Sequence, residues 1–390
     1  MSPSSPAAAQ PPSGQARHTL LPVFAACAAI GLQAGVGLPL VPLGLEQQGH
    51  DKLTIGIVSA AWAVGMLMFG TRIPQLASRL GAVPAIIGAV VIGALINCSF
   101  TITSGPVAWG VLTFLHGVFG GVPWVVSEIW MNVVVEEKRR GRVMGIYAAM
   151  VALGMALGPL VLQAVGVYGP VPFLTSAALS LLVTVPLLPY WRTAPRIRID
   201  ASRGFARLIV LAPLAMFGAF TCGLGEQVAF SFLPVYAVGA GVSPDTGALW
   251  LSAFVMGNVV LQWPIGWLAD HMDRRIVLGG CTLASAALVV LLTQVPAHSS
   301  GAIGVVMLWG GVSFSIYPVA LALLGGRVRG ADIARANTAF SMIYVLGGLL
   351  GRPATGGAMD AFGEAGLGGT LAIFYLSAAV AALVALRRRD

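Results

Sequence analysis

Residues 80–127 read LGAVPAIIGAVVIGALINCSFTITSGPVAWGVLTFLHGVFGGVPWVVS, 48 positions without an Asp, Glu, Lys or Arg. A membrane-crossing helix takes about 20 apolar residues, so this run is long enough for two. Thr103-Ser104-Gly105-Pro106 near its middle is turn chemistry and divides it into a helical hairpin. Two further uncharged runs have the same form. Residues 143–191, 49 long, divide at Tyr168-Gly169-Pro170, and residues 276–326, 51 long, divide between Pro296 and Gly301. Residues 336–386 repeat the length with Arg352, Asp360 and Glu364 inserted.

Composition agrees with a chain that faces lipid. Of 390 residues, 57% are apolar and 9% charged, against about 25% charged in ordinary globular chains, which excludes a soluble domain. The net charge of +8 lies in short clusters between apolar runs, a topological pattern rather than a nucleic-acid surface. Cys27, Cys98, Cys222 and Cys281 are far apart within apolar runs and read as small core residues, with neither a disulfide framework nor a thiolate metal site.

Residues 19–45, 53–76, 207–238 and 244–268 join the four hairpins to give twelve spans. Twenty of the 22 Lys and Arg fall on the even-numbered loops and the termini, which places that side, with both termini, in the cytoplasm. Arg79 and Arg275 are 196 apart and Arg142 and Arg335 are 193 apart, close to half the chain length. The expected architecture is an all-α membrane protein of twelve transmembrane helices in two pseudo-symmetric six-helix halves, with the binding site between them. The expected divisions are a disordered tail at 1–18, halves at 19–190 and 207–386, a linker at 191–206 and a short tail at 387–390.

After the eighth span stands Gly266-Trp267-Leu268-Ala269-Asp270-His271-Met272-Asp273-Arg274-Arg275. It resembles the loop signature of the major facilitator superfamily, Gly-x-Leu-Ala-Asp-x-x-Gly-Arg-Arg, with Asp273 at the family's Gly. The resemblance implies a gate in which Asp270 faces Arg274 and Arg275, with Arg79 in the first-half counterpart, where Ser78 replaces the acid. Gly145, Gly154, Gly158 and Pro159 on the fifth span are similar to the antiporter signature of the drug-export branch, although Leu162-Gln163 replaces its trailing Gly-Gly. Glycines four apart also suit close helix packing in lipid. The eleventh span echoes the pattern at Gly347, Gly351 and Pro353. Proton-coupled relatives carry an Arg four before Gly117, where this chain has Thr113. With Trp124–Glu128, Arg140-Gly141-Arg142, Gln262–Gly266 and Ile316–Ala320, the chain from about 20 to 386 most resembles the YcaD-like transporters of bacterial inner membranes.

Ionisable groups within spans cost at least about 2.5 kcal/mol each and need a reason. Glu226 sits inside the seventh span among glycines; burial there favours its neutral form and makes it a candidate proton carrier. Glu128 is either a second carrier or a partner of Arg139, Arg140 or Arg142, and His116 is either a proton acceptor or a packed core residue. Arg352 either attracts an anionic substrate or snorkels and pairs toward Asp360. Gln33, Trp124, Gln163, Gln227, Asn258, Gln262, Tyr317, Asn337 and Tyr344 are candidates to line a cavity for an amphipathic small molecule.

No HExxH, GxSxG, GxxxxGK[ST] or GxGxxG occurs, so the chain reads as neither an enzyme nor an ATP-driven pump, and no cofactor is expected. The expected function is a monomeric secondary transporter of the bacterial inner membrane, moving a small organic molecule by proton-coupled efflux. Uptake or uniport of a metabolite is the alternative, and a membrane-embedded enzyme or receptor is remote. Its expected partners are that substrate, protons or another ion, and membrane lipid.

Overall fold

A backbone in hydrocarbon must satisfy its own N–H and C=O groups, and a helix does so within one segment. The computed structural model describes residues 13–135, 137–191, 212–328 and 332–387, and their regular structure is helical. In chain order the helices are α1 (Ser13–Gly37), α2 (Leu40–Gln47), α3 (Lys52–Phe69), α4 (Ile73–Leu80), α5 (Ala82–Ser99), α6 (Pro106–Val134) and α7 (Glu137–Val165). They continue as α8 (Pro170–Leu182), α9 (Pro213–Gly239), α10 (Pro244–His271), α11 (Arg274–Leu292), α12 (Ser300–Gly325), α13 (Asp332–Phe362) and α14 (Ala365–Arg387). α1 with α2, and α3 with α4, each make one span, so the helices form the twelve expected crossings.

The bounds shift where local chemistry differs from the hydropathy. α1 begins at Ser13, inside the expected tail, while residues 1–12, 192–206 of the linker and 388–390 lie outside the described residues. Pro39 interrupts the first span, and after α8 the sixth ends in a 3-10 segment, Val185–Tyr190, that contains Pro186 and Pro189. Proline removes the N–H that an α-helical ladder needs. The turns are as the sequence reads: Gly105 and Gly169 take φ of 85° and 80°, which suits glycine, and each is followed by a proline opening a helix.

Among the described residues, ten stretches are long and apolar enough to cross a membrane. The two long helices outside that set, α9 and α13, are those that carry Glu226, Gln227 and Arg352. They pack on each other.

Glycines set the helix spacing, and they do so twice. A Cβ at Gly154 would meet the Ala28 carbonyl oxygen at 2.4 Å, and one at Gly158 would meet the Gly35 backbone at 2.3 Å, so α7 lies backbone to backbone on α1. The positions 193 further on do the same between α13 and α9: a Cβ at Gly347 would stand 2.1 Å from the Phe220 oxygen, and one at Gly351 would stand 2.6 Å from Leu224 Cγ. Gly117 on Trp62 (2.0 Å) and Gly310 on Phe254 (1.9 Å), also 193 apart, join α6 to α3 and α12 to α10. Gly145 alone of the fifth-span motif faces open space.

The halves meet along α3 with α13 and along α7 with α10. At the end of the bundle away from the termini, called the far end below, a Cβ at Gly56 would lie 2.5 Å from the Arg352 oxygen and one at Gly356 would lie 2.2 Å from the Lys52 oxygen. On the other seam Ser252 Oγ donates to the Ala156 carbonyl at 2.6 Å.

Helix spacing set by glycine predicts a sharp contrast. Gly257→Ala, whose new methyl would lie 1.8 Å from the Met307 oxygen, should cost about 1–3 kcal/mol of stability. Gly88→Ala, which meets nothing within 4 Å, should cost none; equal thermal shifts of the two variants in detergent would contradict this account.

Candidate functional site

The polar groups of α9 and α13 form one connected chain. Glu226 is 5% exposed and Arg352 is 3% exposed, on helices that touch through Gly223, Gly347 and Gly351. One turn before Glu226 on the same face, Cys222 donates its thiol to Glu226 Oε1 at 2.8 Å. From α13, Tyr344 donates its hydroxyl to Glu226 Oε2 at 2.7 Å. Both carboxylate oxygens therefore accept a bond.

From Tyr344 the chain passes to Gln227, whose amide Nε2 donates to the Tyr344 hydroxyl at 3.4 Å. Gln227 Oε1 then accepts from the Arg352 guanidinium. Gly348 makes room for this amide, since a Cβ there would come 2.6 Å from Gln227 Cγ. Arg352 Nε reaches Ser231 Oγ at 2.9 Å and the Gln227 carbonyl at 3.2 Å. Its Nη1 crosses to the other half and donates to the Ser59 carbonyl of α3 at 3.1 Å. A buried guanidinium requires such a set of acceptors, because hydrocarbon supplies none.

This geometry sorts the candidates. Glu226, Gln227, Tyr344 and Arg352 come together, with Tyr317 edge-on to Tyr344 at 5.4 Å between ring centres. Arg352 neither snorkels nor pairs with Asp360; its donors point into the protein, and Asp360 is engaged elsewhere. Gln33 turns within its own half and donates to Ser176 at 3.4 Å. His116 is half-buried on α6 of the first half. Glu128, Trp124 and Gln262 are exposed and Asn258 is half-buried. Glu128 lies within electrostatic reach of Tyr317 across the halves, while the side chains of Arg139, Arg140 and Arg142 lie outside the described residues.

In the last turn of α10, Asp270 makes no ion pair among the described residues. Arg274 donates instead to the Ala322 carbonyl of α12 at 3.0 Å, and Arg275 to the Ala385 carbonyl of α14 at 2.7 Å. Positive charge at a helix C-terminus is favourable there. Asp273, at the position where the signature has Gly, is the N-cap of α11: it is extended at φ −60° and accepts from the Arg275 N–H. Arg79 is exposed in the last turn of α4.

Three participants escape the sequence reading. Cys222 reads as a core residue, although its spacing of four from Glu226 is the signal that joins them. Ser231 lies at the same spacing from Gln227. Ser59 contributes a backbone carbonyl, for which no side-chain signal exists. The four cysteines are free, and Cys27, Cys222 and Cys281 are buried.

A family model described as Major Facilitator Superfamily matches residues 23–213 and 215–389. The MFS-type transporter YfkF of Bacillus subtilis is 26% identical over 346 residues, covering 86% of this chain and 88% of the relative. The MFS-type transporter YcaD of Escherichia coli is 27% identical over 330 residues, covering 83% and 85%. Among solved structures, a bacterial homolog of the human lysosomal transporter Spinster, inward-facing and occupied, superposes with a TM-score of 0.78. It is 15% identical, covering 95% of this chain and 97% of that one.

Tyr344→Phe keeps the ring and removes the hydroxyl that joins Glu226 to Gln227. Leaving those buried groups short of a partner should cost about 1–3 kcal/mol in thermal unfolding; a melting curve unchanged from wild type would show that the bond contributes nothing.

Proposed function

The chain belongs to the major facilitator superfamily, and from that premise we propose that it is a proton-coupled exporter of a small organic molecule with Glu226 as the proton carrier. It is an integral multi-pass membrane protein and a transporter, as its relatives are; direction, coupling and site residues are our reading. One observation carries it. The buried carboxylate of Glu226 is tied through Tyr344, Gln227 and Arg352 to a backbone carbonyl of the opposite half.

Charge balance supplies the mechanism. An ionised Glu226 offsets the positive Arg352 within one buried network, and charges in hydrocarbon are tolerated only when offset. A proton arriving on Glu226 removes that offset and weakens the acceptor held by Tyr344. Arg352 then has reason to leave Ser59 for a hydrated position, which frees α3 from α13. A proton thereby biases the rocking of one half on the other, as a ligand with unequal affinity for two states must.

The cluster of basic residues at the termini end supports a cytoplasmic location for both termini in a bacterial inner membrane. The glycine motif of α7 supports export, and Tyr317, Trp124, Asn258 and Gln262 remain the proposed lining of the substrate path. Glu128 and His116 remain secondary proton candidates. Asp270 with Arg274 and Arg275 is the proposed gate of the opposite conformation, the present one engaging both arginines on helix ends. A monomer is the proposed state. Uptake or uniport has one observation in its favour: Thr113, where proton-coupled relatives place an Arg, is buried and its hydroxyl has no hydrogen-bond partner among the described residues.

Everted vesicles energised to an acid interior test this reading with a panel of lipophilic cations, weak organic acids, sugars and amino acids. One class should collapse the pH gradient with wild type and fail to do so with Glu226→Gln. Collapse that survives in the variant would remove Glu226 from coupling, and uptake of label without proton movement would replace export by facilitated transport.

A further inference from the structure

Asp360, in the last turns of α13, lies beside the start of α3, which belongs to the opposite half. Its Oδ1 accepts the Lys52 N–H and its Oδ2 the Leu53 N–H, both at 2.8 Å. The first amides of a helix have no partner within it and carry the positive end of its dipole. Asp51, the N-cap of α3, takes the Thr54 N–H at 3.2 Å with its side chain and the Ile55 N–H with its carbonyl. The amides of the first two helical residues, Lys52 and Leu53, are satisfied by Asp360.

The surroundings restrict this contact to a closed far end. Gly356 lies one turn before Asp360, and its lack of a side chain lets the α13 backbone touch the Lys52 carbonyl. Lys52 turns its ammonium away from Asp360 to Glu46. Glu364 stands nearby, its carboxyl pushed up by burial and opposed by Lys52. The second seam is built differently, since the N-terminus of α10 is capped within its own half by Ser243, which accepts from Thr246.

We propose that Asp360 is a gating residue of transport, a carboxylate that caps the α3 N-terminus from the opposite half and so holds the far end shut. This rests on the alternating-access reading above. Opening the far end strips both amides of their acceptor, and closing restores it, so the capping contributes to one state of the cycle only. The α7–α10 seam is joined instead by the Ser252 bond to the Ala156 carbonyl.

The test is a distance distribution between spin labels on exposed far-end positions of opposite halves, Gln48→Cys and Phe362→Cys, in purified protein in lipid nanodiscs. Asp360→Ala should raise the ratio of open to closed far end by roughly tenfold or more, given two charge-assisted bonds lost. Asp360→Asn, which keeps one acceptor oxygen, should fall between. Asp51→Ala weakens the same helix end from within its own half and should leave the ratio unchanged. Gly356→Leu, which prevents the close approach, should open the far end independently of any charge. An Asp360→Ala distribution matching wild type while Gly356→Leu opens would overturn the capping role. A single distance in every variant, Gly356→Leu included, would overturn the alternating-access reading itself.

Discussion

A guanidinium that is 3% exposed within an apolar bundle must find its acceptors inside the protein. Arg352 finds them in an amide, a hydroxyl and two backbone carbonyls, one of which belongs to the other half of the molecule. That requirement accounts for Gly348, which makes room for the Gln227 amide, and for a carboxylate standing three links away; the α9–α13 contact itself repeats the glycine packing of α7 on α1. An unbalanced charge here would cost far more than one helix contact returns.

Symmetry and its breaking share the work. The glycines repeated at intervals of 193 give each half the same close helix spacing. The ionisable pair of the network has no first-half counterpart: the positions 193 before Arg352 and Glu226 hold Pro159 and Gln33. The buried polar network is therefore concentrated on one side of a nearly symmetric frame, and α13 touches the other half at Ser59 and at the start of α3.

The fold was legible because its signals are long. Uncharged runs of 48–51 residues, turns of Gly-Pro, and basic clusters on alternate loops each sum over many positions. Glu226, Gln227, Tyr344 and Arg352 were legible individually, as polar residues where hydrocarbon tolerates few. Their connection was not, because it depends on the helical register that sets α13 against α9, and a span's bounds do not fix its rotation. Arg352 turns inward rather than toward Asp360 for the same reason. The cap at Asp273 shows the reverse case, in which a departure from a family signature is explained by a local hydrogen bond that only the backbone reveals.

The claim that Glu226 and Arg352 form one electrostatic unit is tested most directly by a double-mutant cycle on thermal stability, with Glu226→Gln, Arg352→Gln and both together in the same lipid. The account predicts that each single change unbalances the network and that the double variant is more stable than the sum of the two losses by about 1 kcal/mol or more. Losses that add to within about 0.5 kcal/mol would contradict it and leave two unrelated buried groups.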